Sequence, residues 1–290
     1  MELDKNYYIK DSLYLNPTIH YQDKSYYPTF QEDFDKFKNE LLYNSKNKIS
    51  TNYYKFGDGD YFILSKESRG TSKPGLRDLR KKDDLNNNTK LYEQIKEGSL
   101  LCDNYLCEIK FFDLFKEVMR DINITYPAEF SYGIISSKWV FNNFNKIGLI
   151  GSNEKLKVIK NLMKYKEYQE FLGIENFEDY IGIPQVYALS KSDSVYRKIK
   201  SKVEKSNSDI FLLGVGHVQN TILHRLKQHS KVPMVCVGCG IDAIAGLVDI
   251  KRPYFGNWKN YRIPELKIYD KILDATMKSS EDSNVVIDLI

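Results

Sequence analysis

Lys146-Ile147-Gly148-Leu149-Ile150-Gly151 is a short apolar run bounded by glycine, and behind it Leu156, Ile159, Leu162 and Met163 recur at helical spacing through residues 154–165. A brief apolar run that gives way to a 3.6-residue period reads as a buried strand feeding a helix. The order then repeats. Residues 183–189 read as a strand and 193–206 as a helix, with Val195, Ile199 and Val203 four apart. Residues 210–215 read as a strand, 218–228 as a helix and 232–237 as a strand. Short buried strands alternating with helices specify a parallel sheet covered on both faces, so the fold class is α/β, doubly wound and mostly parallel, Rossmann-like.

Working outward, Tyr53 to Phe56 is another apolar-aromatic strand candidate. Upstream of it, Phe34, Phe37 and Leu41 give residues 30–42 the pattern of an amphipathic helix lying on the core. From residue 91 helical patterns dominate, including residues 110–122 with Phe112, Phe115 and Val118 on one face. The chain is expected to form a single domain over 1–290: a helical lead-in over 1–50, an α/β core over 51–262 and a C-terminal helix or tail over 263–290.

In such sheets ligands bind beyond the carboxyl ends of the strands, which selects the loops that matter. The first is Lys55-Phe56-Gly57-Asp58-Gly59-Asp60. Residues two apart in extended backbone project to the same side, so Asp58 and Asp60 can share one hard cation, with Mn2+ or Mg2+ bridging a diphosphate as the natural tenant. Gly57 and Gly59 let a phosphate or sugar approach the backbone beside Phe56. Residues 61–66 can follow as a helix, adding amide donors for an anion. Downstream lies a basic loop over 68–90, whose Arg69 and Arg77 can reach the same diphosphate. The others are Gly151-Ser152-Asn153, residues 190–194, Gly214-Val215-Gly216-His217, and Gly238-Cys239-Gly240-Ile241-Asp242. Gly214 and Gly216 open a helix and make an anion seat, but Gln219 stands where a dinucleotide fingerprint needs its third glycine. Of four histidines, only His217 sits at an expected strand end, where it can serve catalysis or contact phosphate.

Composition excludes more than it selects. Forty-three basic against thirty-nine acidic residues give a net charge of +4, too little to argue for nucleic acid as the main partner. No apolar run reaches the roughly 18 to 20 residues that span a bilayer, and residues 1–15 lack the pattern of a signal peptide. A soluble, cytoplasmic protein is expected. Cys236 and Cys239 have a Cys-x-x-Cys spacing, with Cys102 and Cys107 elsewhere, but Cys236 lies in an apolar run and no histidine stands at a finger-like spacing. They read as inert core thiols in place of zinc ligands. No nucleophile elbow, full P-loop or His-Glu-x-x-His occurs.

Phe56-Gly57-Asp58-Gly59-Asp60 resembles the Phe-Gly-Asp-Gly-Glu hallmark of the GT-D fold glycosyltransferases, with Asp60 one methylene shorter than the family's glutamate. The family is also similar in having a strand and small-residue turn, Leu212 to Gly216 here, then a helix and a strand leading into an Asp-x-Gly-His-x-Asp-like segment. That segment is matched to Ile244-Ala245-Gly246-Leu247-Val248-Asp249, in which the glycine and last aspartate agree. The resemblance spans roughly residues 50–260 and implies a metal-dependent transferase that takes a nucleoside-diphosphate sugar, a UDP-sugar first, to a glycan or other hydroxyl acceptor. Asp58 and Asp60 would hold the metal and donor diphosphate. An inverting reaction needs a general base, for which Asp249 comes first, then Asp242 and His217. The aromatic stretch 252–261 offers Tyr254, Trp258 and Tyr261 as an acceptor lip. Two other classes stay open: an NAD- or S-adenosylmethionine-dependent Rossmann enzyme using Gly214-Val215-Gly216, and a non-catalytic binding or assembly protein. A homodimer stays open as well.

Overall fold

The computed structural model describes residues 29–66, 89–184 and 188–246. Seven strands form one sheet: β1 (Asn52–Phe56), β2 (Asn104–Cys107), β3 (Tyr126–Pro127), β4 (Ile147–Ser152), β5 (Asp179–Ile183), β6 (Ile210–Gly214) and β7 (Met234–Cys236). Their order across the sheet is β3-β2-β1-β7-β6-β4-β5. Every pairing in it is parallel. The helices are α1 (Phe30–Lys46), α2 (Asp58–Leu64), α3 (Thr89–Leu100), α4 (Phe112–Val118), α5 (Glu129–Ser136), α6 (Trp139–Asn143), α7 (Asn153–Leu162), α8 (Lys166–Leu172), α9 (Ser192–Lys205), α10 (Gln219–Leu226) and α11 (Gly240–Ile244). The doubly wound α/β class expected from the alternating runs is the one observed.

Consecutive strand residues point to opposite faces, and both faces are covered, which is why the strands read as continuous apolar runs without alternation. Tyr53, Leu149, Leu212 and Val235 enter one layer of the core with α1, α5, α6, α7, α8 and α11. Tyr54, Ile150, Leu213 and Cys236 enter the other with α2, α3, α4, α9 and α10. The lead-in helix α1 docks through Phe37, whose ring meets Tyr53 edge-on at 5.5 Å and Tyr126 at 5.1 Å. Glu40 on the same helix accepts from both tyrosine hydroxyls.

Three boundaries differ from the sequence reading. The strand expected over 183–189 lies four residues earlier, as β5, because Asp179 and Tyr180 pair with Gly148 and Leu149 despite their polar groups. The helix expected over 110–122 is confined to α4. Two strands, β2 and β3, stand in a region that reads as helical. Four and two residues long, they are too short to show a period, and their pairing with β1 is non-local. Part of what holds β2 in register is reciprocal: the Asn52 backbone amide donates to Asp103 Oδ2 at 2.9 Å and the Asp103 backbone amide to Asn52 Oδ1 at 2.7 Å. Among the described residues no helix is long and apolar enough to cross a membrane.

Helix α7, which follows β4, belongs to one layer, while α10, which follows β6, belongs to the other. The chain therefore leaves neighbouring strands toward opposite faces, and this opens a crevice between the carboxyl ends of β4 and β6. The same reversal separates α2 after β1 from α11 after β7. Leu212 sits fully buried at the centre of this arrangement. Truncation by Leu212→Ala should lower the unfolding free energy by about 2–5 kcal/mol in urea titrations without changing their slope, and a loss under about 1 kcal/mol would contradict its central position.

Candidate functional site

The β4–β6 crevice encloses about 120 Å3 and is lined by Ser152 and Lys155 from the start of α7, by Ile183, Pro184, Ala188 and Leu189 beyond β5, and by Gly214 to Val218 beyond β6. Ser152 caps α7 by accepting from the Lys155 amide at 3.4 Å, a contact that fixes the first turn and carries the lysine to the mouth. Lys155 Nζ lies 2.5 Å from Asp242 Oδ1 on α11. Burial works against the ammonium, but the groups around it, Asp242 foremost, together more than offset it and the lysine pKa is raised. Gly216 has φ +57, a conformation that favours glycine, and no atom lies within 4 Å of where its Cβ would stand. Backbone is thus bare at the crevice floor.

The Phe56–Asp60 motif arrives beside it. Gly57 ends the extended segment with φ −137, and Asp58 already begins α2. The two carboxylates therefore stand two residues apart on a helix, about 200° around its axis, in place of the same-side pair expected of extended backbone. Asp60 turns inward. Its Oδ2 accepts the Gly57 amide at 2.9 Å, the reciprocal half of a capping box. Its Oδ1 faces His217 Nδ1 at 3.5 Å, and the side chains are 4 % and 17 % exposed. At 3.5 Å this is an ion-pair distance without a formed hydrogen bond, and both atoms are buried with no other partner. Burial pushes the Asp60 carboxyl up, yet His217, the Gly57 amide and Asn220 together hold it below its ordinary value.

Gly59 serves this contact. A Cβ there would stand 2.2 Å from His217 Cε1 and 2.5 Å from Nε2, so the glycine makes room for the imidazole and not for the ligand the sequence suggested. Gly214 behaves alike: its missing Cβ would collide with Ile241 Cγ1 at 2.5 Å, which makes it a seat for α11. The strand-end network is completed by Gln219, whose amide donates to the Lys55 carbonyl at 2.8 Å, and by Asn220, which donates to the Tyr54 hydroxyl at 2.9 Å and to Ser99 at 3.0 Å.

Sequence reasoning passed over a second group on the other side of β1. Lys55 Nζ lies 3.4 Å from Glu108 Oε1 and 5.3 Å from the centre of the Tyr132 ring, and the Tyr132 hydroxyl donates to the same Glu108 oxygen at 3.0 Å. Burial disfavours the Lys55 charge, but the groups around it, Glu108 foremost, together outweigh it and raise the pKa. The available signal was one cation inside an otherwise apolar-aromatic strand. Lys155 had a comparable signal, three residues past a strand-end serine.

The other expected residues are distributed as follows. Asp242 is drawn into the site through Lys155. The segment matched at 244–249 begins inside α11, whereas the residues that directly follow β7 are Val237 to Asp242, with Gly238 at φ +50. The turn after β7 is thus one helix earlier than the match placed it. Asp249, Arg69, Arg77, Tyr254, Trp258 and Tyr261 lie outside the described residues. Burial pushes the Cys236 thiol up to about 12, which suits an inert core cysteine.

Among the described residues no three His, Cys, Asp or Glu side chains converge as a metal-binding group. The Asp58–Asp60 pair does not fit a shared cation, because Asp60 directs one oxygen to a backbone amide and the other to an imidazole inside the protein. Comparison with protein-family models, with curated protein sequences and with solved structures finds no match to this chain.

The lowered Asp60 pKa gives stability a sign. A carboxyl depressed by folding contributes fully above its unfolded value, 3.8, and loses that contribution as pH falls below it. The stability advantage of the wild type over Asp60→Asn should therefore hold from about pH 6 to about pH 4 and shrink toward pH 3 in urea unfolding. An advantage that grows on acidification would contradict the ionised, inward-facing carboxylate.

Proposed function

We propose that this chain is a glycosyltransferase that moves a sugar from a nucleoside-diphosphate sugar, a UDP-sugar first, to a hydroxyl acceptor such as a glycan. The observation that carries the reading is the meeting of the Phe56–Asp60 turn of β1 with His217 beyond β6, on the rim of a crevice with a lysine at its mouth. Carboxyl ends of parallel strands at such a reversal are where nucleotides bind in this fold class.

In this reading Ile183, Pro184, Ala188 and Leu189 give the base an apolar wall, while the open backbone at Gly216 admits a phosphate. The Lys155 ammonium exchanges Asp242 for a phosphate oxygen, a charge-assisted bond that strengthens as the leaving group gains charge. The acceptor oxygen bonds to the anomeric carbon as the bond from that carbon to the diphosphate breaks, the electron pair departing with the nucleoside diphosphate. Holding both partners in line supplies much of the acceleration. Mn2+ or Mg2+ enters this proposal on the strength of the sequence alone, since Asp58 and Asp60 do not fit a shared cation. Arg69, Arg77, Tyr254, Trp258 and Tyr261 enter this proposal on the strength of the sequence alone. A dinucleotide or S-adenosylmethionine site built on Gly214-Val215-Gly216 is less well supported, because Gly214 seats Ile241.

Thermal shift and calorimetry with UDP, GDP, their sugar conjugates, NAD and S-adenosylmethionine, each with and without Mn2+, test the proposal. A nucleoside diphosphate or its sugar should raise the melting temperature by binding the native state. Lys155→Met should then weaken UDP binding about tenfold or more, the worth of one charge-assisted hydrogen bond. Unchanged affinity would move the phosphate away from Lys155, and a shift with NAD or S-adenosylmethionine alone would retire the transferase.

A further inference from the structure

Two buried polar atoms with no other partner face each other at 3.5 Å, Asp60 Oδ1 and His217 Nδ1, and unpartnered buried groups in a native fold call for an explanation. Three observations converge on one. The Gly57 amide already occupies Asp60 Oδ2, so the carboxylate is oriented and Oδ1 is directed at the ring. Gly59 has no side chain, which lets the Cε1–Nε2 edge of the imidazole approach the α2 backbone at a distance that any Cβ would forbid. Finally, the ring lines the β4–β6 crevice, while of its two nitrogens only Nδ1 is buried without a partner.

We infer that Asp60 is a positioning residue for His217: it holds the neutral imidazole with its proton on Nδ1, so that the lone pair of Nε2 is left for the crevice as a proton acceptor. A carboxylate can only accept, so the ring nitrogen opposite it must donate, and the other nitrogen is then deprotonated in the neutral ring. Carboxylates that orient a histidine base in this way work through the tautomer they select. Resting on the transferase reading, the inference also names the step. The acceptor hydroxyl gives its proton to His217 Nε2 as its oxygen bonds to the anomeric carbon, and the nucleoside diphosphate leaves with the electron pair. Asp60 is thereby assigned away from the metal and to the base.

The substitution Asp60→Asn makes the inference sharp. Because the Gly57 amide requires an acceptor, the asparagine carbonyl oxygen stays on it and the NH2 group turns to His217. That group donates, so Nδ1 must accept and the proton moves to Nε2. The test is 15N–1H correlation of the histidine side chains in the full-length protein, about two pH units above the ordinary histidine pKa, with His217 assigned by its loss in His217→Gln. The wild type should show the Nδ1–H tautomer and Asp60→Asn the Nε2–H tautomer. A proton on Nε2 in the wild type, as the other tautomer or as imidazolium, overturns the inference, and this measurement needs neither a ligand nor a folded Asp60→Asn protein. Where a donor sugar has been identified, Asp60→Asn should reduce kcat at least a hundredfold with KM within a few-fold, and an unchanged kcat also overturns it. An Nδ1–H tautomer in a protein that turns over no sugar nucleotide would defeat the transferase reading alone. The Nε2–H tautomer in an active transferase would defeat the assigned base alone.

Discussion

The site depends on the pairing of β1 with β7. Only Asn52 with Met234 and Tyr53 with Val235 are in register there, yet this short ladder joins β3-β2-β1 to β7-β6-β4-β5. Without it the Phe56–Asp60 turn and the Gly214–Val218 turn would belong to separate half-sheets. The ladder is reinforced by side chains rather than by its own length. Asn220 reaches Tyr54 across 166 positions of sequence, and Gln219 reaches the Lys55 carbonyl across 164. Each of these bonds is buried or nearly so, where an unmade partner would cost more than the bond itself contributes.

From that junction the chemistry is ordered across the sheet. Beyond β4, β5 and β6 lies a crevice with apolar walls and Lys155; over the junction stand Asp60 and His217; on the other side of β1 Lys55 of that strand meets Glu108, just past β2, and Tyr132 of α5. Each lysine has a carboxylate close by, so neither cation carries a large uncompensated cost of burial. The glycines of the motifs are mostly committed to packing: Gly59 to the imidazole and Gly214 to Ile241, which leaves Gly216 as the open one.

Glycine-rich turns thus have two physical uses that look identical in a sequence. One is to let backbone approach a ligand; the other is to let backbone approach the protein's own side chains. The spacing Phe-Gly-Asp-Gly-Asp could not distinguish them, because the distinction lies in what occupies the space where a Cβ would be. The same is true of paired carboxylates. On a strand end Asp58 and Asp60 would share a face; with the helix starting at Asp58, the 100° step per residue sends them apart, and a capping bond takes one of them inward.

The sequence by itself determined the class of sheet, since runs such as 147–151 and 210–214 are apolar at every position, too short for a buried helix, and alternate with helical periods. It also determined which loops stand at the carboxyl ends of strands, because strand ends are local features of the chain. The tertiary structure alone decided the strand order, the insertion of β7 beside β1, the two short strands β2 and β3, and the meeting of Asp60 with His217. Those depend on pairings between residues from about twenty to more than a hundred and eighty positions apart, and no local period records them. Lys55, Glu108 and Tyr132 illustrate the limit: each is unremarked in its own segment, and the chemistry exists only where three segments converge.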